Sequence, residues 1–175
     1  LREVYLLSGE EVFLIEEQLA SVRALLGDDA SMNSSWYHAQ EIQRIDEIIE
    51  LCATMPFLSD RRLVVIRNFH KLGRKETDRI LSYVNRPCDF TTLILTIEGV
   101  PEREEKKFTK DLPEGVERLR FDTLRGKDLQ DWIMGRVRVY GKTFDRDAVY
   151  LLIEITGGNV WFIASEIEKL SLYVG

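Results

Sequence analysis

The sequence predicts an α/β protein, in which a five-stranded parallel sheet with covering helices is followed by a small domain of three helices. Up to Phe121, short apolar runs alternate with segments whose apolar residues recur at helical spacing, as in successive βα units. Beyond Phe121 only the helical spacing remains. Because 175 residues accommodate one domain with a small neighbour, we expect the α/β domain over residues 1–123 and the helical domain over residues 124–175.

The strands are predicted from short runs of β-branched and aliphatic residues that lie between turn residues or charges. The clearest run is residues 62–67, an apolar stretch with an arginine at each end, which is typical of a central parallel strand covered on both faces. The five predicted strands are residues 4–8, 35–38, 62–67, 91–97 and 117–121.

Apolar residues three or four positions apart predict the helices between these strands. The first helix should end at Gly27 and the second at Pro56, and two charged helices are expected over residues 71–85 and 102–112. The apolar faces of the first two helices are predicted to be Val12, Ile15, Leu19, Val22 and Leu26, and Ile42, Ile45, Ile48, Ile49 and Cys52.

Three short helices account for the second domain. Asp145 and Asn159 have side chains that can cap the second and third of these helices, and Gly157 and Gly158 separate the two. We expect the three apolar stripes to be buried by packing against one another. The predicted inward residues are Leu129, Trp132, Ile133, Val137 and Tyr140, then Ala148, Leu151, Leu152 and Ile155, then Val160, Ile163, Ile167, Leu170 and Val174.

The turn after the first strand is where an ATP-binding α/β protein carries its phosphate-binding loop. Such a loop needs several glycines, a lysine that reaches the phosphates, and a serine or threonine that holds magnesium. This turn offers Gly9 alone, no lysine, and the carboxylates of Glu10 and Glu11, which would repel phosphate. After the third strand, Arg67 and Asn68 stand where an acidic pair would be needed. We therefore expect no cofactor and no ATP hydrolysis.

The composition argues against several other classes of function. A net charge of -6 argues against autonomous tight binding to nucleic acid. The two cysteines lack a CxxC spacing and the two histidines are isolated, so we expect reduced thiols and no metal site. Neither a GxSxG motif nor a persuasive pair of catalytic carboxylates is present, which argues against an enzyme. Without a long apolar run or a signal peptide, the expected location is the cytoplasm.

Three blocks of sequence resemble one protein family. They are YLLSGEEVFLIEE at residues 5–17, MPFLSDRRLVVIRN at residues 55–68, and the stretch from GGN at residue 157 to EIEKLSLY at residues 166–173. Together, and in this order, they resemble the delta subunit of the bacterial DNA polymerase III clamp loader. The resemblance implies a degenerate AAA+ (P-loop-like) domain followed by a helical lid domain. The family's collar domain, through which members join the loader ring, has no counterpart in these 175 residues.

The resemblance implies a subunit that binds the sliding clamp (the beta subunit) with a hydrophobic plug and helps to open the ring during DNA replication, without hydrolysing ATP. The positions that match the plug are Pro56 and Phe57, flanked by Met55 and Leu58, either of which is the second anchor beside Phe57. Arg61 and Arg62 adjoin the plug and are candidates for contact with an acidic clamp rim.

The resemblance also implies further partners. They are the other clamp-loader subunits, for the full-length protein, and primer–template DNA only within the assembled loader. No membrane partner is expected, and we expect the 175-residue chain alone to be monomeric.

Two alternatives stay open. From the residues alone, Pro56 can stop a helix while Phe57 and Leu58 enter the core, since most such residues are buried, and Arg61 and Arg62 can be solvated charges before an apolar strand. The chain can also be a P-loop-like nucleotide hydrolase or kinase with an unusual phosphate loop, although the missing lysine near Gly9 argues against that function.

Overall fold

The computed structural model of the protein describes residues 2–27 and 30–174. The chain divides into two compact units, the first ending at Asp122 and the second beginning at Thr123. Among the described residues, no helix combines the length and the apolar character that crossing a membrane requires.

The first unit alternates strands and helices along the chain. Its strands are β1 (Val4–Gly9), β2 (Ser34–His38), β3 (Arg62–Arg67), β4 (Thr91–Glu98) and β5 (Glu117–Arg120). Its helices are α1 (Val12–Ala24), the short α2 (Ala30–Asn33), α3 (Ile45–Cys52), α4 (Arg74–Val84) and α5 (Glu102–Thr109), with 3-10 turns at Ala39–Glu41 and Phe69–Lys71. The five predicted strands are confirmed, each within one residue at either end.

The five strands form one parallel sheet in the order β2-β3-β4-β1-β5. Central strand β4 pairs with β1, where Leu6 lies opposite Leu95, and with β3, where Val64 lies opposite Leu93. The parallel sheet is confirmed, and so is the position of β3 inside it, between β2 and β4. Because the strands run parallel, their carboxyl ends lie at one edge, where ligands of open α/β sheets bind.

Helices cover both faces of this sheet. Successive strand residues point to opposite faces, so Val64 packs on the side of α3 and α4 while Val65 packs on the side of α1. On the α1 side, the buried residues of that helix are Phe13, Ile15, Leu19 and Val22. The predicted stripe is thus confirmed at its centre, whereas Val12 and Leu26 at its ends are only half-buried.

The predicted helix boundaries are wrong in several places. The first helix ends at Ala24 rather than at Gly27, and the second ends at Cys52 rather than at Pro56. Ile42 lies outside α3 because its backbone is extended after the preceding 3-10 turn. The helix expected from residue 71 begins at Arg74, since Asn68 adopts a left-handed conformation and a 3-10 turn follows it. The helix expected to reach residue 112 ends at Thr109.

The second unit consists of α6 (Gly126–Val139), α7 (Arg146–Thr156) and α8 (Val160–Tyr173). Both predicted N-caps are confirmed: the Ala148 N–H donates to Asp145 Oδ1 at 2.7 Å, and the Phe162 N–H donates to Asn159 Oδ1 at 3.2 Å. Gly157, with φ 61°, ends α7 in the left-handed conformation that glycine adopts without strain.

The prediction that the three stripes of this unit bury one another is wrong in part. Helix α7 buries Val149 and Leu152, while Leu151 and Ile155 remain exposed. Leu170 of α8 and Val174, the residue after α8, are exposed as well. These four residues help to line an open cavity of about 660 Å³. Leu151 and Ile155 lie one turn apart on one side of α7, and only the neighbouring side, which carries Val149 and Leu152, is buried.

Candidate protein-binding site

The segment between α3 and β3, residues 53–61, carries three large apolar side chains into solvent. We call this segment the tip loop and these side chains, Met55, Phe57 and Leu58, the apolar tip. They are 67%, 59% and 78% exposed, and Pro56 between them is half-buried. The core alternative for Phe57 and Leu58 is therefore excluded, and their predicted exposure is confirmed.

Asn33, at the end of α2, binds the backbone of the tip loop through its side chain. It is 0% exposed. Its Nδ2 donates to the Phe57 carbonyl oxygen at 2.8 Å, and its Oδ1 accepts from the Phe57 N–H, also at 2.8 Å. Sequence reasoning did not find Asn33, because nothing in the run SMNSS indicates a partner 24 residues away.

Arg62 is buried, although we expected it to contact a partner at the surface. It is only 7% exposed, and its guanidinium points into the tip loop. There Nε donates to the Thr54 carbonyl and Nη2 to the Met55 carbonyl, each at 3.1 Å. We therefore revise its role from surface contact to support of the loop. Arg61 is half-buried and donates to Thr92 Oγ1 at 3.2 Å, whereas Asp60 remains exposed at the rim of the tip.

The backbone of the tip loop is strained at one residue. Leu58 has φ 51°, the left-handed region that costs a non-glycine residue about 1–2 kcal/mol. Such a conformation persists only where the surroundings determine it. The neighbouring Phe57 has both its N–H and its carbonyl occupied by Asn33, which supplies that determination.

The turn after β1 is closed by the chain that follows β5. The Glu11 N–H donates to the Phe121 carbonyl at 3.0 Å, and the Phe121 N–H donates to the Ser8 carbonyl at 2.8 Å. Gly9 has φ 132°, and a Cβ there would collide with the Phe121 carbonyl. The turn therefore uses its glycine for packing, and an amide that a phosphate would need is already bonded.

An ion-pair cluster occupies the carboxyl ends of β3 and β4. Arg67 donates to both carboxylate oxygens of Glu98, at 2.9 and 2.8 Å, and also pairs with Glu16 of α1. Burial by itself would raise the pKa of Glu98, but hydrogen bonds from Arg67 and Thr96 outweigh it, so the pKa lies below its usual value. A guanidinium thus stands where a nucleotide hydrolase would carry its metal-binding acidic pair, and the described residues hold no cluster of three or more metal-ligating groups.

The basic residues on the two charged helices are largely solvated. Arg79 pairs with Asp46 of α3, and Lys106 pairs with Glu102 one turn before it. The other basic residues of these helices and of the residues beside them, Lys71, Arg74, Lys75, Arg103, Lys107 and Lys110, are exposed. Interleaved acids and local ion pairs are typical of a hydrated helix surface.

Comparison with known proteins places these features in one family. The family model described as "DNA polymerase III, delta subunit" matches residues 5–119. A curated relative, DNA polymerase III subunit delta of Bacillus subtilis (strain 168), is 28% identical over 182 aligned positions, which cover 98% of this chain and 52% of that protein. The chain thus spans about half the length of this relative.

Solved structures show the same likeness. The Bacillus subtilis DNA clamp loader delta protein (YqeN) superimposes with a TM-score of 0.79 at 26% identity, over 100% of this chain and 54% of that one. A Thermotoga maritima protein related to the DNA polymerase III gamma subunit gives 0.59 at 15% identity, over 97% and 53%. The RuvB Holliday junction branch migration motor of Thermotoga maritima gives 0.54 at 12%, over 94% and 53%. The last two show the fold alone, which is that of AAA+ modules.

Proposed function

The chain belongs to the DNA polymerase III delta-subunit family, and we propose that it is the part of a clamp-loader subunit that binds the sliding clamp through the apolar tip. The observation that carries this proposal is the exposure of Met55, Phe57 and Leu58 side by side on a loop whose backbone is fixed. A large exposed apolar cluster with a polar rim is typical of a protein-binding hot spot. The exposure of Leu58 exceeds that of Met55, but both remain available as the second anchor.

The proposed action on the clamp is mechanical. A subunit can drive ring opening only by the difference between its affinities for the open and the closed ring. Neighbouring subunits of the loader would then bind and hydrolyse ATP, and this chain would neither bind nor hydrolyse nucleotide. The bonded Glu11 amide and the Arg67 guanidinium at the expected metal position support this assignment. Other loader subunits and, within the assembled loader, primer–template DNA are the further partners that we propose, in the cytoplasm.

Phe57→Ala tests the clamp contact. We expect it to weaken binding to the sliding clamp of the same organism by about 2 kcal/mol or more, roughly thirtyfold, because a central aromatic anchor dominates such interfaces. Binding can be measured by surface plasmon resonance on immobilised clamp. Phe162→Ala is a matched control, since Phe162 is similarly exposed at 64% but lies on α8 of the second unit. Equal affinity of wild type and Phe57→Ala would contradict the proposal.

The second candidate function, a nucleotide hydrolase or kinase, has less support. Its phosphate loop would require backbone amides that are free to turn toward a ligand. The turn at Gly9 instead packs against the Phe121 carbonyl. Nucleotide binding at this turn would require the segment after β5 to move away.

A further inference from the structure

The tip loop combines exposed side chains with a backbone that is held from inside. Residues 53–61 form no helix or strand, yet four of their backbone carbonyl and amide groups bond to the side chains of the buried residues Asn33 and Arg62. The side chains of the apolar tip remain 59–78% exposed, so their own burial adds little to fold stability. The internal support therefore bears on the conformation in which the tip is presented.

Asn33 provides the first point of support. An asparagine amide has a donor and an acceptor side by side, and here both are used on one residue, Phe57, as a neighbouring strand would use them. Full burial of Asn33 excludes competition from water for these two bonds. Phe57 is thus the residue of the loop whose backbone position is determined most directly.

Arg62 provides the second point of support. Its planar guanidinium donates to two consecutive carbonyls, those of Thr54 and Met55. Its own N–H donates to the Phe90 carbonyl at 2.8 Å, which ties the arginine to the chain entering β4. On one side of Pro56, Met55 is therefore attached to β3 through Arg62, and on the other side Phe57 is attached to the end of α2 through Asn33.

We propose that Asn33 and Arg62 are positioning residues that hold the apolar tip in its binding conformation before the partner arrives. This inference rests on the proposed clamp-binding function. Ordering a loop on binding opposes association, so a loop that is ordered beforehand binds more tightly with the same contacts. The strained φ of Leu58 agrees with a loop shaped for presentation rather than for its own stability.

Asn33→Ala removes both bonds to Phe57 and leaves every side chain of the apolar tip in place. We expect clamp affinity to fall roughly three- to tenfold, and the Phe57 amide of the free protein to exchange with solvent about tenfold faster or more, while core amides of β3 keep their protection. Hydrogen exchange followed by NMR reads the second effect residue by residue. Asn85→Ala is the matched control, because it removes an asparagine bond to the Leu81 carbonyl at the end of α4 and should change neither measurement.

Arg62→Lys is the second variant, and it keeps the charge. A lysine ammonium cannot span two carbonyls with a planar fork, so we expect the same two changes in the same direction. Arg118→Lys is its control, since Arg118 donates to the Leu112 carbonyl at 3.1 Å and to the Thr109 carbonyl, outside the tip loop. If Asn33→Ala does not fold, Arg62→Lys alone decides the question.

The outcomes separate this inference from the function it rests on. If both variants bind the clamp as tightly as wild type while Phe57→Ala does not, the positioning role is overturned and the proposed function stands. If wild type itself does not bind the clamp, the proposed function fails and the positioning role for binding fails with it. Unchanged exchange at Phe57 in Asn33→Ala would overturn the structural premise independently of any clamp.

Discussion

Phe57 and Phe69 show at the residue scale how one side chain type serves two purposes. Phe69 is buried in the core beside α3 and α4, whereas Phe57 is exposed on the tip loop. We expect Phe57→Ala to change the free energy of unfolding by less than about 1 kcal/mol, and Phe69→Ala to lower it by about 3–5 kcal/mol. Urea denaturation of both variants measures the difference. A large loss in Phe57→Ala would indicate that its ring stabilises the fold after all.

Arg67 offers a second test at this scale, through its pairing with Glu98 and Glu16. In Arg67→Met the two carboxylates face each other without a cation, so we expect the free energy of unfolding at pH 7 to fall by about 2 kcal/mol. The pKa of Glu98 is lowered in the folded protein, so its contribution is fully present above its unfolded pKa, near 4.5, and is lost as pH falls through the lower folded value.

The difference between wild type and Arg67→Met should therefore shrink as the pH falls below about 4.5. Denaturation series at pH 7, 5 and 3.5 check both the size and the sign of this change. Arg79→Met is the control, because Arg79 pairs with Asp46 on the exposed surface and such pairs contribute little. A wild-type advantage that grew toward acid pH would contradict the assignment.

At the element scale, the turn between β1 and α1 leads to a prediction about ATP binding. Because its Glu11 amide is bonded to the Phe121 carbonyl, and Glu10 and Glu11 add negative charge, we expect no binding of ATP with magnesium. A ligand present at a hundred times its dissociation constant would add about 2.7 kcal/mol of stability, which thermal unfolding detects easily. We expect no shift in Tm with millimolar ATP. Micromolar affinity in titration calorimetry would restore the nucleotide-hydrolase alternative.

The exposed apolar residues of the second unit bear on the prediction for the whole molecule, which is that the chain alone is monomeric. Leu151 and Ile155 line an open cavity, so the apolar stripes of these helices are not fully buried by one another, and the expected monomer needs a different argument. Eleven described residues line this cavity, whereas a stable interface involves roughly 20–30 residues on each side. We therefore expect a single species of 20.4 kDa in light scattering at micromolar concentration. A stable larger species that Leu151→Asp dissociates would place an assembly surface at this cavity.

The sequence by itself determined the strands, their parallel arrangement and the caps of the last two helices. Those features depend on neighbouring residues: a continuous apolar run such as residues 63–66 predicts a strand covered on both faces, and Asp145 bonds to an amide three residues ahead. The sequence also shows that the turn lacks the residues of a phosphate-binding loop, because those residues would be adjacent in the chain. The tip loop was found through a block of sequence that resembles a family, not through its periodicity.

Only the tertiary structure decided which side chains support the tip and which helical faces stay open. Asn33 meets Phe57 across 24 positions, and Arg62 turns inward and donates to the Thr54 and Met55 carbonyls that follow α3. In the second unit, Leu151 stays exposed because three short helices enclose too little volume to bury every apolar residue. Contacts between distant segments depend on how the elements pack, and a single sequence carries no local signal for them.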